Sequence, residues 1–288
     1  MKTYLDCIPC FIRQALEAAR RVAPDDEALH RRVLDWICVQ VPQLPETFSP
    51  PFVGELIHGF IQKETGIKDP YIEAKEHNLQ RAQQLEPQLR AWLERHPDRF
   101  EAAVRVAIAG NIMDLGANPD FDLEAEMNLL EQASSDLSDL ERLRQELESS
   151  EDVLYIGDNT GEAVFDKIFL EHLQPRRITF ATRGRAIIDD ITEDLARRIG
   201  LDRLAKVISS GSPIPGTDLS RVTDEFRTVF NQASVVIAKG QGNFESLSDA
   251  GRPIFFLFKV KCPVVAALAG QPVGASVVFR GGFGKPVE

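Results

Sequence analysis

Six short apolar runs in the second half of the chain constrain its fold more than any other feature. The runs occupy residues 153–156, 178–181, 205–209, 234–238, 254–258 and 275–279. Apolar residues at helical spacing fill most of the intervals, at residues 162–172, 192–199, 224–230 and 263–268. Because buried strands that alternate with helices are typical of parallel sheets, this pattern predicts a doubly wound, largely parallel α/β/α sheet.

The first half of the chain has helical periodicity instead. Predicted helices lie near residues 10–22, 27–41, 53–65, 70–89 and 99–115. An acidic stretch at residues 122–151 is interpreted as a solvated helix face. We therefore predict a mainly helical N-terminal region at residues 1–150, packed on an α/β domain at residues 151–288 that carries the metal site.

Composition and charge narrow the classes of partner and location. The formal net charge of −11 disfavours contact with a phosphate backbone, so we expect no nucleic-acid partner. The most apolar stretch, residues 253–270, is interrupted by Lys259, Lys261 and Pro263, so we expect no membrane contact. The N-terminus shows no pattern of a signal peptide, and four cysteines are too few for a disulfide scaffold. A cytoplasmic location is therefore expected.

Polar segments follow five of the six apolar runs, at the point where each predicted strand ends. They lie at residues 158–159, 183–190, 209–212, 239–245 and 259–262. The carboxyl ends of parallel strands meet at one edge of a sheet, and ligands bind at that edge in open α/β folds. The sequence therefore predicts an active site where these segments converge.

Three of the converging side chains are candidate metal ligands. Asp158, Asn159 and Asp190 offer only oxygen atoms, which suits Mg²⁺ or Mn²⁺ better than a thiolate-type zinc site. Asn159 has a structural alternative, because it could cap the following helix with Glu162 as the partner in a capping box. Asp190 could likewise precede a helix as a cap. These alternatives remain open at the level of the sequence.

Anion-binding groups follow two other strands. The predicted turn from Gly240 to Gly242 can present backbone N–H groups to an anion, and Lys261 can add a positive charge to a phosphate. Glycines also make ordinary turns, and lysines are usually solvated. A metal, an amide nest and a lysine around one anion are typical of phosphoryl transfer.

Several motifs resemble one known family. They are GDNTGE at 157–162, RGRAIIDDITEDL at 183–195, AKGQGNFESL at 238–247 and FKVKCPVVA at 258–266. Together they are similar to the metal-dependent damage-control phosphatase family (domain of unknown function family 89). CIPC at 7–10, DPY at 69–71 with Lys75, and AGNIMDLG at 109–116 resemble its prokaryotic CxxC-containing subgroup. The resemblance spans nearly the whole chain.

The resemblance implies a divalent-metal-dependent phosphatase that acts on small phosphorylated metabolites such as sugar phosphates, nucleotides or cofactor fragments. It implies Asp158, Asn159 and Asp190 as metal ligands and Lys261 near the phosphate, with Asp158 and Lys261 taking part in catalysis through a metal-activated water. Mn²⁺, Mg²⁺, Co²⁺ and Ni²⁺ are the candidate metals. The residues predicted to contact substrate are Glu162, Asn111, Asp114, Gly240, Gly242, Asn243 and Glu245.

Two features leave questions within this interpretation. Where the family motif has a proline and an asparagine, this chain has Ala186 and Asp189, so Asp189 competes with Asp190 as a ligand. We favour Asp190 from its place in the motif. Cys7 and Cys10 could bind a metal or form a disulfide, but we interpret them as half-buried cysteines that open a helix.

Other functions compete with the phosphatase. The strand and spaced glycines of residues 153–161 resemble the first turn of a carboxyl methyltransferase that uses S-adenosylmethionine, although a single glycine pair is weak support. A non-catalytic protein that binds phosphorylated metabolites would use the same sheet edge. A covalent aspartyl-phosphate mechanism at Asp158 is less favoured, because the second aspartate typical of it is replaced by Thr160.

Overall fold

The structure, a computed structural model, describes residues 1–45, 47–110 and 138–283. Six helices precede the sheet in these ranges: α1 (Cys7–Val22), α2 (Glu27–Gln40), α3 (Pro50–Thr65), α4 (Ile72–Arg95), α5 (Arg99–Ala109) and α6 (Leu140–Glu148). The strands are β1 (Asp152–Ile156), β2 (Arg177–Thr182), β3 (Lys206–Ser209), β4 (Val235–Lys239), β5 (Ile254–Lys259) and β6 (Ser276–Gly281). Between them lie α7 (Glu162–His172), α8 (Glu193–Ile199), α9 (Asp224–Gln232), α10 (Gly240–Leu247) and α11 (Pro263–Ala269).

The six strands form one sheet in the order β3-β2-β1-β4-β5-β6. Strands β1 to β5 pair in parallel, and β6 pairs with β5 in the antiparallel direction. The predicted doubly wound, largely parallel sheet is therefore confirmed, and each of the six apolar runs is a strand. The strand order reverses between β1 and β4, which is where open α/β sheets form their ligand crevice.

Both faces of the sheet are covered by helices. One face shares a hydrophobic core with α4 to α8, and the other packs against α9, α10 and α11. Leu89 of α4, Val104 of α5 and Leu143 of α6 are fully buried in the first of these cores. The later helices of the N-terminal region are therefore part of the sheet's own core, and the division near residue 150 stays a prediction.

Helices α1, α2 and α3 form a separate hydrophobic cluster around Phe11, Val33 and Ile57. Trp36 and Phe60 stack at the rim of this cluster, with ring centroids 4.4 Å apart. Helix α3 also contacts α10, so the three-helix cluster sits against the carboxyl edge of the sheet. No helix in the described ranges is long and apolar enough to span a membrane.

Element boundaries differ from the sequence prediction in three places. Helix α1 begins at Cys7 rather than at residue 10, and α4 continues past Pro87 to Arg95. The larger difference is α10, where we predicted a glycine turn and the structure has a helix that begins at Gly240. Gly240 adopts a left-handed φ of 78°, after which the chain enters the helix directly.

Candidate active site

The turn after β1 carries the first two candidate ligands, Asp158 and Asn159. Gly157 lets the chain make this turn, because a Cβ atom there would lie 2.7 Å from the ring of Phe180 and 3.0 Å from Ile191. Helix α7 follows at once and is buried along most of its length. The turn is therefore fixed between a central strand and a buried helix.

The loop after β2 pairs with this turn through the backbone. The Thr160 N–H donates to the carbonyl of Asp189 at 2.8 Å, and the Ile191 N–H donates to the carbonyl of Asp158 at 2.8 Å. Asn159 and Asp190 form an antiparallel bridge between the two segments. This pairing brings the Asp190 side chain to Asp158 and Asn159, although the three lie on two separate loops.

Arg183 lies between the two carboxylates of the site. Its Nη2 donates to Oδ1 of Asp158 at 3.1 Å, and its Nε donates to Oδ2 of Asp190 in a short contact. Burial, together with the charges of Glu162 and Asp190, raises the pKa of Asp158 well above its ordinary value. Burial also raises the pKa of Asp190, although the Arg183 charge opposes the shift. Asp158 and Asp190 share this one guanidinium, so a further cation between them would stabilise both carboxylates.

The side chain of Asn159 is held with its amide nitrogen towards carboxylates. Its Nδ2 donates to Oε1 of Glu162 at 2.6 Å and approaches Oδ2 of Asp158 at 3.4 Å. Because both amide protons face acceptors, the amide oxygen is left for the cavity that Asn159 lines. This orientation is compatible with the predicted role of Asn159 as an oxygen ligand, which stays a prediction.

A buried network of charges supports Glu162 from behind. The Nζ of Lys239, at the end of β4, donates to Oδ1 of Asp166 at 2.7 Å and to Oε2 of Glu162 at 3.3 Å. The hydroxyl of Tyr155 donates to the same Asp166 oxygen at 2.6 Å. Burial alone would lower the pKa of Lys239, but Asp166 and Glu162 outweigh it and raise that pKa. Lys239 therefore stays charged and fixes the carboxylate that orients Asn159.

Helix α10 begins in direct contact with Asp158. A Cβ atom on Gly240 would lie 1.9 Å from Oδ2 of Asp158, so only glycine allows this approach. Asn243 ties the helix to the site, since its Nδ2 donates to the carbonyls of Lys239 at 2.7 Å and of Gly157 at 3.1 Å. The predicted anion-binding turn is thus the first turn of a helix, whose free N–H groups can also face an anion.

These segments open on a cavity of about 470 Å³. Asp158, Asn159, Asp190 and Lys261 line one side, and residues of α1 and α3 line the other. Lys261 is exposed and forms no ion pair with the described residues, while its charge counteracts the raised pKa of Asp158. The cavity therefore joins the N-terminal helices to the predicted metal ligands, with a free ammonium at its wall.

The predicted substrate residues divide into two groups. Gly242 and Glu245 line the cavity. Glu162, Gly240 and Asn243 do not line it in the described part of the chain, because they are buried behind the ligands and support them instead. Substrate contact by these three stays a prediction. Asn111 and Asp114, also predicted to contact substrate, lie outside the described residues.

Asp189 and Asp190 have different surroundings. Asp190 lines the cavity, whereas Oδ2 of Asp189 accepts a hydrogen bond from Nδ2 of Asn78 on α4 at 2.9 Å. Burial raises the pKa of Asp189 to about 6. This placement favours Asp190 as the ligand and gives Asp189 the task of holding the loop against α4.

The cysteine pair opens helix α1, as expected, but its position was not foreseen. Cys7 is buried, Cys10 is exposed, and both line the same cavity as Asp158 and Asp190. In the described ranges no three or more His, Cys, Asp or Glu side chains are grouped as a metal site. The predicted ligand set has two carboxylates and takes its third oxygen from the Asn159 amide.

The fold and this site define a doubly wound α/β protein with an acidic, oxygen-rich cavity at the carboxyl edge of its sheet. Known proteins then place it in a family. The family model of the damage-control phosphatase ARMT1-like domain matches residues 3–277. A damage-control phosphatase of Pyrococcus horikoshii is 35% identical, over 98% of this chain and 99% of that protein. The chain therefore belongs to the damage-control phosphatase ARMT1-like family.

Two further relatives agree with this assignment. A damage-control phosphatase of Archaeoglobus fulgidus is 30% identical, over 94% of this chain and 96% of that protein. The crystal structure of a DUF89 family protein from Pyrococcus horikoshii matches with a TM-score of 0.87 at 34% identity and covers 98% of this chain and 99% of its own. The relatives support a phosphatase-type function and confirm the resemblance found in the motifs, while membership of the CxxC subgroup stays a prediction.

Proposed function

We propose that the protein is a divalent-metal-dependent phosphatase that hydrolyses small phosphorylated metabolites in the cavity between α1 and the sheet edge. The observation that carries this proposal is the convergence of Asp158, Asn159 and Asp190 on the wall that also holds Lys261. Family membership supports the phosphatase class. The metal, the substrate and the residue roles are our inference.

The donor set fits a hard divalent cation. Asp158 and Asp190 are carboxylates whose pKa values are raised chiefly by burial, and Asn159 is oriented to add a neutral oxygen. When bound, Mn²⁺, Mg²⁺, Co²⁺ or Ni²⁺ would polarise the phosphoryl oxygens and acidify a nearby water. Arg183 would keep the two carboxylates aligned from behind.

The protein's own groups then bind and orient the ester. Lys261 supplies an exposed positive charge for the non-bridging phosphoryl oxygens, and it has no competing ion pair among the described residues. The first turn of α10 offers backbone N–H groups at Gln241 and Gly242 on the same wall. Both contacts grow stronger as negative charge shifts during transfer, which favours the transition state over the bound substrate.

The size of the cavity limits the substrate to a small metabolite. A volume of about 470 Å³ lies within the range of about 300–1,000 Å³ that holds drug-sized ligands. Sugar phosphates, nucleotides and phosphorylated cofactor fragments all meet this limit. Arg13 and Gln14 of α1 and Pro51 of α3 line the far wall, so they face the part of the substrate that differs between these classes.

A phosphate-release screen tests this proposal. Metal-stripped protein is assayed on the three substrate classes with Mg²⁺, Mn²⁺, Co²⁺ or Ni²⁺ supplied separately, and Asp158→Ala, purified in the same way, controls for contaminating phosphatases. We expect metal-stimulated release by the wild type and none by the variant. Tight binding of the same esters without release would instead indicate a non-catalytic binder, and binding of S-adenosylmethionine would favour the methyltransferase.

A further inference from the structure

Within the described part of the chain, Glu245 is the one cavity-lining carboxylate on the sheet side that does not pair with Arg183. It projects from α10, is 9% exposed, and lines the same cavity as Asp158 and Lys261. Among the described residues its side chain has no salt bridge, whereas Asp158 and Asp190 both pair with the guanidinium. Its position leaves it free for a task other than holding a cation.

Gln241 fixes the orientation of this carboxyl. The Nε2 of Gln241 donates to Oε1 of Glu245 at 2.7 Å, while Oε1 of Gln241 accepts from the backbone N–H of Lys261 at 2.8 Å. The Gln241 carboxamide therefore fixes the position of the Glu245 carboxyl relative to the loop that carries Lys261. The second oxygen of Glu245, Oε2, receives no hydrogen bond from the described residues, so a proton on Oε2 can be donated into the cavity.

The groups around Glu245 favour a carboxyl that carries a proton near neutral pH. Burial raises its pKa to about 7, although Gln241, the N-terminal amine of Met1 and Lys261 oppose the shift. Cys7 faces it from α1, and burial raises the pKa of that thiol, so Cys7 stays neutral and adds no negative charge beside Glu245. A proton donor is most effective when its pKa lies near the working pH.

The proposed hydrolysis needs such a donor at one point. Breaking the bond between phosphorus and the bridging oxygen of an alkyl phosphate releases an alkoxide, which is a poor leaving group unless it receives a proton. Lys261 is placed to neutralise phosphoryl oxygens, and the Asp158 and Asp190 carboxylates are committed to Arg183 and the metal position. Of the acids that the structure describes on the sheet-side wall, Glu245 is the one that remains.

Resting on the proposed function, we propose that Glu245 is the general acid that protonates the leaving alcohol. As a water oxygen bonds to phosphorus, the bond to the bridging oxygen breaks and that oxygen takes the proton from Oε2 of Glu245. The ester and one water become an alcohol and inorganic phosphate. The Glu245 carboxylate then recovers a proton from solvent, so the residue is unchanged after each turnover.

The test compares Glu245→Gln on two substrates that differ in leaving group. We expect kcat for an alkyl phosphate, such as a hexose 6-phosphate, to fall by about 10²-fold or more, the usual scale for general acid catalysis. We expect kcat for p-nitrophenyl phosphate to change little, because nitrophenolate leaves without a proton. The alkaline limb of the pH profile for the alkyl substrate should also disappear in the variant.

A matched control is Glu151→Gln, which makes the same change at an exposed carboxylate that does not line the cavity. It should leave both rates unchanged. If Glu245→Gln does not fold, Glu245→Asp is assayed on the same two substrates instead. This change moves the carboxyl back by one methylene, so kcat should again fall for the alkyl phosphate and not for p-nitrophenyl phosphate.

The outcomes separate this assignment from the proposed function. Equal losses on both substrates, or no loss on either, with an active wild type would overturn the general-acid assignment alone. A wild type that releases phosphate from neither substrate with any of the four metals would overturn the proposed function and the assignment together.

Discussion

Two lysines at the ends of neighbouring strands show how much a single residue's surroundings decide its task. Lys239 ends β4 and is fully buried against Asp166 and Glu162. Lys261 follows β5, is exposed, and has no ion pair among the described residues. The same side chain therefore holds the site together in one position and, in our proposal, meets the substrate in the other. Replacing each by methionine separates the two tasks.

Lys261→Met should reduce turnover without loosening the fold. The change keeps the aliphatic stem and removes a charge that acts on the phosphoryl group, so we expect kcat to fall by about 10²-fold, the scale for one preorganised contact. Stability should stay within about 0.5 kcal/mol, as is usual at exposed sites. A variant with near-normal turnover would contradict the role given to Lys261. A variant that loses metal affinity would contradict it as well.

Lys239→Met should destabilise the protein. The change removes the buried ammonium that neutralises Asp166 and Glu162. Breaking a buried ion pair in this way usually lowers the free energy of unfolding by about 3–5 kcal/mol. The pKa of Asp166 is already raised to about 6 by burial. A carboxyl whose pKa is higher in the folded than in the unfolded state binds a proton more tightly when folded. Lowering the pH through that range therefore stabilises the native form.

The stability loss in Lys239→Met should therefore be smaller at pH 5 than at pH 8. Urea unfolding of the wild type and the variant at both pH values measures it. If the loss of unfolding free energy does not depend on pH, or grows as the pH falls, then Asp166 and Glu162 are not the groups that Lys239 neutralises.

Elements were easier to predict from the sequence than their junctions. All six strands follow from apolar runs, because a buried central strand needs an unbroken apolar stretch. The antiparallel direction of β6 and the helix at Gly240 did not follow from the sequence. A glycine with a positive φ begins α10 only because the Asp158 side chain occupies the space of its Cβ atom, and that contact exists only after the strands have assembled.

The charged residues just beyond the strands show the same limit. Arg183, Lys239 and Lys261 all lie at or shortly after the end of an apolar run. The sequence alone does not show which of these cations is buried and which is exposed. Their partners, Asp190 and Asp166, lie on other segments that only the fold brings near. Cys7 and Cys10 also reach the cavity only through the fold. Helix α1 packs on α3, and α3 contacts α10.

Gly240→Ala should test the junction between β4 and α10. Both Gly240 and Gly270 have a left-handed φ, of 78° and 67°, but only Gly240 has a neighbour within reach of a new Cβ atom. Gly270→Ala therefore carries the backbone strain alone, about 1–2 kcal/mol. We expect Gly240→Ala to lose metal binding and turnover in addition, since its methyl group displaces the Asp158 carboxylate. Equal behaviour of the two variants would contradict the close approach.

At the scale of the whole molecule, the cavity that holds the proposed site has walls from both halves of the chain. The sheet edge supplies the ligands and charges, and α1 and α3 supply the opposite wall. The core also crosses the predicted boundary near residue 150, through α4, α5 and α6. In our proposal, the sheet edge therefore carries the reaction chemistry, and the N-terminal helices select the substrate.

The most direct measurement of the central claim is phosphate release by metal-stripped protein as one divalent cation is titrated. The account predicts activity near zero before addition, a saturating rise with metal, and no rise in Asp158→Ala or Asp190→Ala variants that remain folded by circular dichroism. Removing a metal ligand withdraws a charge contribution of several kcal/mol to the transition state. Full activity of the wild type after exhaustive chelation would contradict the account, as would metal-stimulated release by the two variants.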